Sequence, residues 1–202
     1  GGNADIEWNI GTGLPDGMNA YISYAPRPGG AQKNTNKGVG GDSGAVTGYG
    51  YDVVVTHSGL QDGLNVFGGY SEIEQTSSLH NRRQYALGAT YAVGGATIGY
   101  QWSKDHNPGV VDSTTDYYEN NAYGISFSVN DNLSVSYAVH ESDRVRALGQ
   151  TTVNLEGSSL QVAYTIGGAS IKFAETTVDN RNYATGAANQ KDGRTIALTL
   201  AF

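Results

Sequence analysis

Apolar and polar residues alternate with a period of two along most of this chain, most plainly in its second half. Ala96, Ile98, Tyr100 and Trp102 oppose Thr97, Gly99, Gln101 and Ser103, and Leu133, Val135, Tyr137 and Val139 oppose Ser134, Ser136, Ala138 and His140. Leu160, Val162, Tyr164 and Ile166 oppose Ser159, Gln161, Ala163 and Thr165 in the same way, and Ile196, Leu198, Leu200 and Phe202 oppose Thr195, Ala197, Thr199 and Ala201. Successive side chains of a strand point to opposite faces, so the pattern predicts ribbons with one apolar and one polar side. Bounded by Gly, Asn, Asp or Pro, about eleven such strands fall near 4–10, 18–26, 49–58, 64–74, 82–93, 96–105, 117–129, 133–142, 152–166, 169–178 and 194–202. Period alone leaves two architectures open: a sandwich whose apolar faces meet in a dry core, and a barrel wall with lipid outside and water inside.

The connections favour the barrel. Short and long links alternate without exchange: short at 11–17, long at 27–48, short at 58–63, medium at 75–81, then the pair Gly94-Gly95. A loop at 106–116, a tight turn at 130–132, a loop at 143–151, the pair Gly167-Gly168 and a loop at 179–193 continue the order. Outer-membrane barrels have brief turns on one rim and longer loops on the other, whereas Greek-key crossings mix the two. Tyr91, Tyr100 and Tyr164 fall on the apolar parity near short turns, and Trp8, Tyr24, Trp102 and Tyr137 share that parity. Rings with a polar tip settle at the interfaces of a membrane. With 14 tyrosines against 4 phenylalanines, a dry core would need a partner for each of many hydroxyls.

Composition removes other classes. No run approaches the roughly 18–20 apolar residues of a membrane helix. A formal charge of -7 argues against nucleic acid as a partner, and with 0 cysteines neither disulfides nor thiolate metal sites hold the fold. The 29 glycines suit tight turns.

Two hairpins are near copies: Tyr91-Ala92-Val93-Gly94-Gly95-Ala96-Thr97-Ile98 and Tyr164-Thr165-Ile166-Gly167-Gly168-Ala169-Ser170-Ile171. Together with the final strand Thr195 to Phe202 and the loop Asn182-Tyr183-Ala184-Thr185-Gly186, they resemble the Gram-negative general porins of the alphaproteobacterial, Rhodobacter-like type. The likeness rests on motifs from Gln84 to Phe202 and only on pattern in the first eighty residues. It implies a single antiparallel transmembrane β-barrel domain over 1–202 and passive diffusion of small hydrophilic solutes and ions across the bacterial outer membrane. It also implies a homotrimer among outer-membrane lipids, with the terminal Phe202 read as a signal by the barrel-assembly machinery. The family's barrels have sixteen strands, so the eleven here correspond to the sixth through sixteenth. About five amino-terminal strands are then absent, and Gly1-Gly2-Asn3 becomes the tail of the family's inward-folded third loop.

In such a conduit the chemistry is electrostatic lining. By parity Asp5, Glu7, Asp52 and Asp105 point inward against Arg82 and Lys172, with His140 adding charge only in acid. An acidic balance predicts mild cation preference. Lys172 is mid-strand between Ile171 and Phe173, where a lipid-facing Lys would cost about 2–4 kcal/mol at the bilayer midplane.

Enzyme signals are thin. His57, His80, His106 and His140 lack ligand spacing, and no serine sits in a nucleophile-elbow pattern. The carboxylate pairs Glu72/Glu74 and Glu141/Asp143 read as hydrated rim charges. No cofactor is implied; Asp112, Asp116 and Glu119 could offer oxygens to Ca²⁺ but lack the spacing of a calcium loop. Two other functions stay open: a secreted β-sandwich adhesin, and an outer-membrane barrel acting mainly as anchor or receptor.

Overall fold

A computed structural model describes residues 6–25, 49–74, 80–108, 115–146 and 151–200. The strands are β1 (Ile6–Ile10), β2 (Met18–Ala25), β3 (Gly50–His57), β4 (Leu64–Ile73), β5 (Arg82–Val93) and β6 (Ala96–His106). They continue with β7 (Thr115–Ser128), β8 (Leu133–Arg146), β9 (Val153–Ile166), β10 (Ala169–Asp179) and β11 (Lys191–Leu200). All eleven form one antiparallel sheet in which every strand pairs with its neighbours in sequence. The predicted strands are recovered with shifted ends, most at the long-loop side, where β8 runs on to Arg146 and β11 begins at Lys191. Among the described residues no helix is long and apolar enough to cross a membrane, which says nothing about strands.

The turns obey backbone sterics. Gly94 and Gly167, first in each Gly-Gly pair, sit at φ 57° and 56°, a region that disfavours a Cβ. The linking segments alternate between a short-turn rim and a long-loop rim, as the spacing predicts.

Pairing also fixes the strand tilt. The row of paired residues that starts at Glu7 passes through Asp52, Asp105 and Arg144 and ends at Val153. It begins three residues from the short-turn end of β1 and finishes thirteen from that of β9, a climb of ten residues over eight pairings. With about 3.3 Å per residue along a strand and about 4.8 Å between strands, the tilt is about 40°, the value of a closed barrel wall.

The core of a soluble protein is missing. Among the described residues, Ile73 and Val139 are the buried hydrophobics, while Leu87, Ile98 and Ile196 are 57%, 51% and 76% exposed. Among the described residues no second layer covers the apolar face, so the sandwich reading fails: an apolar face of this extent left bare has lipid as its natural solvent. The outward series changes character at one level. On β6 it runs Ala96, Ile98, Tyr100, Trp102 and then Lys104; on β8, Leu133, Val135, Tyr137, Val139 and then Glu141; on β9, Ile166, Tyr164, Val162, Leu160 and then Ser158. The change comes about eight residues from the short turn, which at this tilt gives a band about 20 Å tall, near the ~25 Å belt of outer-membrane barrels. A hydrogen-bonded row cuts across that level: Leu87, Trp102, Asn121, Glu141 and Glu156 are successive partners, apolar at one end and acidic at the other. The boundary therefore follows a plane through tilted strands, as a bilayer slab requires. Tyr51, Tyr70 and Tyr85 stand side by side at its upper edge, with ring centroids 5.9 and 5.2 Å apart.

Candidate functional site

The other face is concave and polar. Phe67 on β4 and Thr176 on β10 line one hollow of about 620 Å³ together with Gln101, Ser126, Ser136, His140 and Ser159, so the sheet curls toward this side. Small residues make the curl possible: a Cβ on Gly88 would lie 2.4 Å from the Phe67 ring, which lies across that glycine.

Register places Glu7, Asp52, Arg82, Asp105, His140 and Lys172 on this face. Asp5 and Phe202 lie outside the described residues. Ser23 Oγ donates to Asp52 Oδ2 at 2.8 Å. Arg82 Nε and Nη2 donate to the two oxygens of Asp105 at 2.9 and 2.5 Å, a bidentate pair whose charges cancel locally. Lys172 faces a cleft of about 390 Å³ with Ser134, Ser136, Gln161 and Thr195. Its strand partners Ala163 and Ala197 are too small to cover it.

Sequence parity missed several groups. Because β8 extends past residue 142, Arg144 and Arg146 fall on the concave face, and Lys191 joins them at the start of β11. Within the described strands this face then carries Glu7, Asp52 and Asp105 against Arg82, Arg144, Arg146, Lys172 and Lys191, so the acidic balance read from sequence does not hold there. The apolar-polar alternation of β8 stops at Glu141 and Asp143 on the outward side, so parity carried no signal as far as the two arginines.

The loop that the sequence places at 179–193 folds over the concave face in its segment 180–190. Tyr183 reaches β8, where its hydroxyl is 2.6 Å from Ser142 Oγ, and Ser142 donates its own hydrogen to Asn120 Oδ1 at 2.5 Å. Tyr183 is therefore the donor to Ser142. Asn120 Nδ2 in turn donates to Ser103 Oγ at 3.2 Å, which extends the chain across β8, β7 and β6. Arg144 Nη2 donates to the Tyr183 carbonyl at 3.1 Å and its guanidinium lies 5.1 Å from the Tyr183 ring, while the Tyr118 ring is 5.3 Å away. Tyr183 has φ 52°, a conformation that a bulky residue keeps only when its surroundings hold it.

Outward rim charges pair among themselves. Glu72 accepts from Tyr70, from Asn81 at 2.7 Å and from Arg83 at 3.3 Å. Glu119 accepts from Trp102 Nε1 at 3.0 Å and lies 3.7 Å from Lys104, on the side away from the lumen. Asp116 lies 3.8 Å from His106, and Asp112 lies outside the described residues. Among the described residues no group of three or more His, Cys, Asp or Glu is placed to hold a metal.

No family model matches the chain, and no curated protein does. Among solved structures it aligns over 99% of its length with a porin refined at 1.8 Å, at a TM-score of 0.65 and 16% identity. The alignment covers 62% of that porin, so the chain spans less than two thirds of its length. At this identity the likeness concerns the fold: an antiparallel transmembrane β-barrel wall of the porin kind.

Proposed function

We propose that the protein forms a water-filled channel in a bacterial outer membrane through which small hydrophilic solutes and ions diffuse passively. The observation that carries this reading is the division of one curled sheet into a bare apolar outer belt bounded by a plane and a concave face of Ser, Thr, Gln, Gly and charged groups. Such a face has no use unless water fills it. Solute passage here needs no covalent step; the wall supplies width and field. With Arg82 and Asp105 cancelling and basic groups toward the loop rim, the described lining favours weak ion selectivity over the cation preference read from sequence. Assembly as a homotrimer, insertion by the barrel-assembly machinery through Phe202, and the Rhodobacter-like subtype belong to this proposal by resemblance.

Planar-bilayer recording on the full-length protein tests it. Ohmic conductance, with a reversal potential near zero in a salt gradient, is the expected result. A barrel that serves as anchor or receptor instead gains some support from the loop strapped over the mouth, and it predicts insertion without conductance.

A further inference from the structure

We propose that the long-loop mouth holds a binding site for small solutes carrying a phosphate or a similar oxyanion, with Arg144 and Arg146 as its cationic ligands. The site deepens the channel reading and rests on it for the route by which solute arrives. Two positions apart on β8, the arginines share the concave face, and they border a cleft of about 830 Å³ with Thr151, Asn182, Tyr183 and Thr185. Among the described residues no carboxylate lines this cleft. Its volume falls in the range that takes a small organic ligand, and its lining offers hydroxyls, an amide and two guanidinium forks. Those are the donors that oxyanions select.

Arg144 is already oriented. One nitrogen is tied to the Tyr183 carbonyl and the guanidinium lies over the Tyr183 ring, so binding would not have to freeze a loose side chain. Its Nε, shut away from solvent, has no hydrogen-bond acceptor among the described residues. The loop 180–190 adds the far wall and is kept there by the Tyr183–Ser142–Asn120 chain at the expense of a left-handed tyrosine. Lipid headgroups meet the opposite face of the sheet, so the occupant is a solute in the water column.

The experiment is a titration of full-length protein in lipid-free detergent with inorganic phosphate, followed by ³¹P NMR, alongside bilayer conductance in chloride with phosphate added from the loop side. Saturable binding and a matching saturable fall in chloride conductance are expected. Arg144→Gln and Arg146→Gln should each weaken phosphate binding about tenfold, as loss of one charge-assisted donor set implies. Arg144→Lys, which keeps the charge and loses the fork, should fall between. Arg194→Gln, on the outer face beside Glu175, should bind like the parent. Heat-dependent gel migration establishes that each variant is folded; if Arg144→Gln fails this check, Arg146→Gln and Arg144→Lys carry the test. Absence of saturable binding by the parent, equal binding by the arginine variants, or equal loss in Arg194→Gln would overturn the site. Phosphate binding without any conductance would instead leave the site standing and remove the channel.

Discussion

The half of the sheet beside the short turns and the half beside the long loops solve different problems. Beside the turns, outward positions are mostly apolar and inward ones are mostly small or polar, with Lys172 on β10 the inward cation and Glu7 and Asp52 the inward carboxylates of β1 and β3. Beside the loops, both faces carry ions: Arg82 with Asp105 inside, Glu72 with Arg83 and Lys104 with Glu119 outside. Below the plane the two solvents, lipid and water, decide which side chain goes where. Above it water lies on both sides, so register depends on specific pairs and ring contacts. A one-residue slip in the lower half would turn every apolar residue toward water, whereas in the upper half it would mainly break hydrogen bonds.

The largest effect should come from reversing the lower half's polarity. Leu87→Arg puts a cation on the outward belt and should lower folding stability in lipid vesicles by about 2–4 kcal/mol, while Ala86→Arg, on the next position and the opposite face, should fold normally and reduce conductance. Urea titration of vesicle-inserted protein measures the first and bilayer recording the second. Equal destabilisation by both would mean that the two faces do not meet different solvents.

Turn chemistry gives the next contrast. Gly63 has φ 78° and a Cβ there would lie 2.1 Å from the Ala92 carbonyl, which accepts no such neighbour without moving β5. Gly63→Ala should cost about 1–3 kcal/mol. On the loop side, Gly186 has φ 108° but open space around it, so Gly186→Ala carries the backbone strain without the clash and should cost less in the same titration. A larger loss at Gly186 would reverse the assignment of rigidity to the turn rim.

That division also explains what was legible in the sequence. Below the plane hydrophobic alternation is a direct record of the two solvents, so Ile98, Tyr137 and Lys172 could be assigned a side from parity alone. Gly-Gly pairs marked the turns because the backbone there needs positive φ. Above the plane alternation carries no contrast between solvents. The strand holding Arg144 and Arg146 therefore looked finished at residue 142, and β11 looked as though it began at Arg194. Tyr183 was out of reach for a different reason: its partners Ser142 and Tyr118 are remote in sequence, and nothing local says that an Asn-Tyr-Ala-Thr-Gly loop bends inward. The acidic lining inferred from Glu7, Asp52 and Asp105 is offset within the described strands by Arg144 and Arg146, which belong to the upper half.

The smallest predicted effect is the most local. Tyr183→Phe keeps the ring against Tyr118 and under Arg144 but removes the hydroxyl that donates to Ser142. One neutral hydrogen bond is worth about 1 kcal/mol, so amides of segment 180–190 should exchange roughly fivefold faster while those of β10 and the turn-side strands stay as they were. Global stability should barely move, because the upper half is built from pairs that can fail one at a time. If instead the whole sheet loosened together, the loop would be part of the same cooperative unit as the lipid-facing belt, and the plane dividing the two halves would mark a change of solvent without a change in how the structure is held.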